Sequence, residues 1–200
     1  MLVFWEQRLV FLATPKTGST AIETALESLA EVAILRPPTL KHTTVWRYRR
    51  FLGPMLETAA GGPFTVVALM REPIDWLGSW YRYRQRDELA ESTRSTRALS
   101  FDDFVTAYLA EDQPEFAQVG AQARFLAGGA PDKIDRIFRY ERIDSLIDFL
   151  EDRLDCEIIL PRVNVSPEGA TPLSPEIEAR LRTERAEDFA LYQQVLAAED

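Results

Sequence analysis

Short apolar runs alternate along this chain with segments whose apolar residues recur at helical spacing. Leu9-Val10-Phe11-Leu12-Ala13 is unbroken, the mark of a buried strand, and Glu6-Gln7-Arg8 sets it off from Leu2-Val3-Phe4-Trp5 as in a hairpin edge. Glu31 to Leu35 (ended by Arg36-Pro37-Pro38), Phe64 to Met70, Ile134 to Arg139 and Glu157 to Leu160 read as further strands. Between them, Ile22, Ala25, Leu26 and Leu29 repeat at helical spacing, as do Ile74, Leu77, Gly78 and Tyr81, and Leu146, Ile147, Leu150 and Leu154. Thr20 with Glu23 predicts a capping box at the first helix, Pro73 suits a first helical turn, and Ser174-Pro175 opens a final helix. Strands alternating with helices predict an α/β fold with a central, mostly parallel sheet. No repeat or linker interrupts the pattern, so residues 1–200 read as one domain.

Chemistry enters where the second apolar run meets the first helical stripe, at Thr14-Pro15-Lys16-Thr17-Gly18-Ser19-Thr20. A small-residue loop ending at a helix N-terminus offers backbone N–H groups and the positive end of the helix dipole, which suit an anion. Lys16 adds a full charge, Gly18 lets the backbone approach a ligand, and Ser19 and Thr20 add hydroxyl donors. The order differs from GxxxxGK[ST], in which the lysine follows the last glycine and a hydroxyl holds magnesium. Here the lysine precedes the glycine, and the strand ending at Met70 is followed by Arg71 instead of aspartate. The expectation is a phosphate-type site without metal-dependent NTP hydrolysis; the plainer alternative is an ordinary turn with a solvated lysine. Arg71 stands at the carboxyl end of its strand, where open α/β sheets bind ligands, and Ser79 follows eight residues later. Both can reach one phosphate. The plainer readings are an ion pair of Arg71 with Glu72 or Asp75, and a Ser79 hydroxyl bonded to its own helix.

Together the two segments resemble those of sulfotransferases that use 3′-phosphoadenosine 5′-phosphosulfate. Pro15-Lys16-Thr17-Gly18-Ser19-Thr20 is similar to the family's PKSGTT-like loop after strand one, and Arg71 with Ser79 is similar to its arginine–serine pair. Less specific likenesses extend over most of the chain. They are Phe138-Arg139-Tyr140-Glu141 before an amphipathic helix, Leu160-Pro161 to Asn164-Val165-Ser166 as in a loop of bacterial members, and Asp188 to Tyr192 as in a terminal helix. The resemblance implies a three-layer sandwich with a P-loop-like strand-loop-helix. It implies that Lys16, Thr17, Gly18, Ser19 and Thr20 hold the 5′-phosphosulfate end while Arg71 and Ser79 hold the 3′-phosphate, with no metal. The reaction implied is sulfuryl transfer to a hydroxyl or amine of a small-molecule, glycan or lipid acceptor. Lys16 would neutralise the departing phosphate. His42, the only histidine, lies in Lys41-His42-Thr43-Thr44, similar to a segment of related members, and is the candidate base. Glu141 is the reserve candidate. The plainer readings are a helix cap or exposed side chain for His42 and a structural acceptor for Glu141.

Composition narrows this further. The net charge of −9 argues against a nucleic-acid binder. It is uneven: residues 1–100 hold 13 Lys/Arg against 10 Asp/Glu, and residues 101–200 hold 10 against 22, so both anion motifs lie in the less acidic half. A long acidic polysaccharide is disfavoured as acceptor unless a local basic cleft overrides that balance. No Cys/His cluster offers a metal site, and Cys156, the single cysteine, reads as a packing residue in a reducing compartment. Without eighteen consecutive apolar residues or a basic leader, the expectation is a cytoplasmic protein with no transmembrane segment. Trp46-Arg47-Tyr48-Arg49-Arg50 and Trp80-Tyr81-Arg82-Tyr83-Arg84 suit adenine and phosphate, yet read more simply as amphipathic helices with snorkelling arginines. The polar stretch Arg86 to Ser100 reads as a mobile cover. The chain is short beside many sulfotransferases, so either its acceptor loops are trimmed or a partner subunit, as in a homo-oligomer, completes the pocket. Two alternatives stand: a non-catalytic nucleotide-binding protein of the same fold and, more remotely, a kinase-like phosphotransferase.

Overall fold

Alternation of side chains along two central strands divides the interior into two cores. The computed structural model describes residues 1–127, 134–161 and 169–199. Its five-stranded mixed sheet consists of β1 (Leu2–Phe4), β2 (Leu9–Leu12), β3 (Val32–Ala33), β4 (Thr65–Met70) and β5 (Arg136–Arg139), in the order β3-β1-β2-β4-β5. β1 pairs antiparallel with both β2 and β3, while β2–β4 and β4–β5 are parallel. Four strands therefore run one way and β1 the other. Around the sheet lie α1 (Ser19–Leu26), α2 (Pro38–Lys41), α3 (Val45–Arg47), α4 (Gly53–Ala60), α5 (Pro73–Tyr83), α6 (Phe101–Leu109), α7 (Gln122–Leu126), α8 (Ile143–Leu154), α9 (Pro175–Glu184) and α10 (Ala186–Glu199).

Val10, Leu12, Val66, Ala68 and Met70 pack with Val45, Tyr48 and Leu56, and with Tyr192 and Val195 of α10. The alternate residues Leu9, Phe11, Val67 and Leu69 pack with Ile22 and Leu26 of α1 and with Leu146 and Leu150 of α8. Burial on both faces is why these strands read as unbroken apolar runs. A third cluster sets Trp76 and Leu77 of α5 against Phe101 and Phe104 of α6 and Leu181 of α9. α5 starts as its proline suggests: Pro73 takes the first turn, and the N-cap Glu72 carboxylate accepts from the Asp75 N–H at 2.8 Å.

Three expectations change. No capping box forms at α1: its N-cap is Gly18, without a side-chain bond. Glu23 is instead drawn inside, 2% exposed, by the Met1 amino group at 2.9 Å and Lys41 Nζ at 2.8 Å. Glu157 to Leu160 is not a strand; the Ile158 N–H goes to the Glu151 carboxylate at 2.7 Å and Ile159 is exposed. The expected strand at Glu31–Leu35 contracts to Val32–Ala33 at the sheet edge. Asn164, Val165 and Ser166 lie outside the described residues. Among the described residues no helix is long and apolar enough to cross a membrane.

Candidate functional site

Leu12 of β2 lies opposite Ala68 of β4 in parallel register, so the loops that leave these strands emerge side by side at their carboxyl ends. One carries Lys16, the other Arg71. The first loop is tied down carbonyl by carbonyl: Thr17 Oγ1 donates to Thr14 O at 2.9 Å, Trp76 Nε1 to Pro15 O at 2.9 Å and Arg71 Nη1 to Lys16 O at 3.2 Å. Lys16 itself has φ 64°, a left-handed conformation that costs a side-chain-bearing residue about 1–2 kcal/mol and persists where surrounding bonds impose it. Gly18 has φ 72°, and a Cβ there would stand 3.2 Å from the Tyr140 ring, so the position requires glycine on both counts.

A cavity of about 730 Å³ opens over this loop. Lys16, Gly18, Ser19, Thr20 and His42 line it, together with Trp80, Tyr83, Arg84, Arg86 and Arg94 among others. Lys16 Nζ lies over the Tyr83 ring at 4.2 Å and the Trp80 ring at 5.6 Å. Burial, reinforced by the charges of Arg86, Arg71 and Arg82, brings its pKa down to about 7. A buried lysine held among fixed cations suits an anionic ligand.

His42 ends α2, and its Nδ1 stands 2.7 Å from Ala13 O. A carbonyl only accepts, so Nδ1 carries the hydrogen and Nε2 keeps its lone pair. Burial lowers the ring's pKa below its ordinary value and keeps it neutral. Thr44, not His42, caps the next helix, accepting from Arg47 N at 3.3 Å. Thr20 Oγ1 accepts from Lys41 Nζ at 3.0 Å, which leaves its own hydroxyl hydrogen to donate.

The remaining candidates stand apart from the cavity. Thr17 is fully buried with its hydroxyl on Thr14 O, so only its backbone can serve a ligand. Ser79 is 1% exposed and does not line the cavity. Arg71 pairs with Asp75, Nε to Oδ2 at 2.6 Å, and lies over the Tyr140 ring at 4.4 Å. The plainer reading of Arg71 therefore holds in part: the pair with Asp75 is made, and the same guanidinium also braces the Lys16 loop. Glu141 accepts from the Glu72 N–H at 2.7 Å and from the Tyr192 hydroxyl at 3.0 Å, a structural acceptor at the head of α8.

Sequence reasoning passed over Trp76 and Gln122, and it read Trp80 and Tyr83 more simply as part of an amphipathic helix. Trp76, Trp80 and Tyr83 form an edge-to-face ladder along one face of α5, visible in the sequence as i, i+4, i+7 spacing but readable there as core. Gln122, 1% exposed, clamps the Arg71 backbone on both sides, Oε1 accepting from Arg71 N at 2.9 Å and Nε2 donating to Arg71 O at 2.8 Å. Nothing in the local pattern marks it. Protein-family models, curated proteins and solved structures were all compared with the chain, and none matches it.

Proposed function

We propose that this protein is a sulfotransferase of P-loop-like fold that takes its sulfuryl group from 3′-phosphoadenosine 5′-phosphosulfate. The observation that carries this reading is the convergence of Lys16, ringed by Arg71, Arg82 and Arg86, with a neutral histidine lining the same cavity. The donor set suits the 5′ end of such a polyanion: Lys16 as cation, Gly18 for close approach, Ser19 and Thr20 as hydroxyl donors at the start of α1. The fit at the other end is less direct. Arg71 and Arg82 share the Asp75 carboxylate, at 2.6 and 3.5 Å, and a 3′-phosphate bound by these arginines takes the place of that carboxylate. Ser79 sits on the same side of α5.

The donor supplies an activated sulfuryl group on a phosphate leaving group. Lys16 neutralises charge that grows on the departing phosphate oxygen, an electrostatic contribution largest in a dry, pre-organised site. His42 accepts the acceptor's hydroxyl proton at Nε2 as that oxygen bonds to sulfur, while the Ala13 carbonyl steadies the imidazolium that forms. The Lys16 loop needs no rearrangement for this role, because three consecutive carbonyls already anchor it.

The test pairs binding with turnover. Adenosine 3′,5′-bisphosphate raises the melting temperature of the wild-type protein, and Lys16→Ala lowers transfer by roughly 100- to 1000-fold while the protein stays folded. No thermal shift with the bisphosphate removes the assignment, and magnesium-dependent ATP turnover replaces it with the kinase-like reading.

A further inference from the structure

The cavity carries more positive charge than the near end of the donor calls for. Among the described residues, Lys16, Arg84, Arg86 and Arg94 line it with one carboxylate, Glu115, in a protein whose net charge is −9. This is the local basic cleft that the overall charge hides. Arg84 is committed internally: 6% exposed, it donates to Glu115 O at 2.7 Å and to Gln118 O at 3.5 Å and lies against Trp80. Arg86 and Arg94 line the same cavity. The Arg86 guanidinium lies over Tyr83 at 4.9 Å, the ring that also carries Lys16. Arg94 Nε bonds the Glu115 carboxylate at 2.6 Å, with the two side chains 58% and 44% exposed. An ion pair this exposed is weak, and a second carboxylate can replace or join it.

The segment bearing both arginines is fixed rather than loose. Thr96 is fully buried, its N–H donating to Arg84 O at 3.3 Å and its hydroxyl to Tyr81 O at 2.8 Å. Arg97 Nε donates to Gln85 O at 2.8 Å. Residues 84–97 thus form a closed turn that holds Arg86, Leu89 and Arg94 at the cavity wall. Trp80, Tyr83, Leu89 and Pro38 add flat or apolar surface to the same cavity that His42 and these arginines line.

We propose that the acceptor is itself an anion: a ring-bearing molecule whose reacting hydroxyl lies at His42 and whose carboxylate or sulfate lies at Arg86 and Arg94. This rests on the sulfotransferase reading and names its substrate class. Guanidinium groups suit a planar or tetrahedral oxyanion through paired N–H donors, and a neutral analogue forfeits those charge-assisted bonds.

Two matched pairs of probes test it: 4-hydroxyphenylacetate with its methyl ester, and glucuronate with glucose. Binding to the protein saturated with adenosine 3′,5′-bisphosphate is measured by ligand-observed NMR, and kcat/KM is measured with the sulfuryl donor. The acid of at least one pair exceeds its neutral partner by about 10-fold or more in both measurements, and the pair that does so separates an aromatic from a sugar acceptor. The ratio falls to within about 2-fold in Arg86→Gln/Arg94→Gln, a variant whose fold is checked by circular dichroism and its melting temperature without ligand. Equal binding of acid and neutral partner in both pairs overturns the proposal, as does a ratio that survives the double substitution. If the bisphosphate binds and the acids are not preferred, the acceptor assignment alone fails. If the bisphosphate does not bind, the sulfotransferase reading fails and takes this proposal with it.

Discussion

Lys16 should take up a proton when the nucleotide binds. Its pKa stands at about 7 in the ligand-free protein because burial comes first and Arg86, Arg71 and Arg82 follow, all opposing the ammonium form. The arginines do not titrate in the working range, so this opposition is constant. An anion bound against Nζ reverses the balance and returns the lysine to its charged form. The sign follows by linkage: the bound state holds a proton that the free state loses as pH rises through about 7. Affinity for adenosine 3′,5′-bisphosphate is therefore near its maximum at pH 6, about 2-fold weaker at pH 7, about 10-fold weaker at pH 8 and about 100-fold weaker at pH 9, from the factor one plus the ratio of deprotonated to protonated lysine. The nucleotide's phosphates complete their own ionisation near pH 6, so the informative window is pH 7 to 9. Calorimetry in buffers of differing ionisation enthalpy, at fixed salt, reads both the affinity and the proton count. Near pH 8 it should approach one proton taken up, and Lys16→Arg should flatten the profile. An affinity constant between pH 7 and 9 with no proton uptake refutes the account of Lys16.

Two further outcomes follow from neighbouring groups. His42→Ala keeps the nucleotide-induced thermal shift but lowers transfer by roughly 100- to 10,000-fold, and it abolishes the wild type's acid limb, which lies below pH 6.5 because burial depresses the ring; a pH–rate profile identical to wild type removes His42 as base. Gln122→Leu strips the Arg71 backbone of both partners and costs about 2–5 kcal/mol in urea unfolding; a loss under about 0.5 kcal/mol shows that the two bonds are not what Gln122 contributes.

What could be read from the sequence divides by the range of the forces involved. β2 and β4 were legible because burial on both faces leaves Thr65, at the start of β4, as the one polar position in either strand. The Lys16 loop was legible because its chemistry is contiguous, and its supports from Thr17 and Trp76 act on the loop's own carbonyls. Glu157–Leu160 misled because apolar content alone does not supply a strand partner, and the Glu151 carboxylate took the Ile158 N–H instead. Glu23 misled for the converse reason: it sits at the right spacing for a cap, yet two cations 22 residues before and 18 residues after it lie close enough to hold it inside. Arg86, Arg94 and Glu115 meet only through the turn that follows α5, which no local pattern encodes.

The eight-residue spacing of Arg71 and Ser79 illustrates what such a pattern determines and what it leaves open. At 100° per residue, Asp75, Ser79 and Arg82 fall on one side of α5, while Trp76, Trp80 and Tyr83 fall on the adjacent side. Arg71, just before the helix, joins the first group through Asp75. The spacing thus identified a coherent polar side but not which side meets the cavity, and the aromatic one does. Lys16 stands where the two meet: its ammonium lies on Tyr83 and Trp80 and feels the charge of Arg71 and Arg82. A ligand with two separate anionic ends, one at Lys16 and the other at the arginines, would use both sides of α5 at once. A ligand bound only at Lys16 would leave Arg71 and Arg82 with the one Asp75 carboxylate they already share, and a ligand bound only at the arginines would leave Lys16 facing their charge. That is a physical reason for the site to prefer a nucleotide phosphorylated at both 3′ and 5′ positions over a monophosphate.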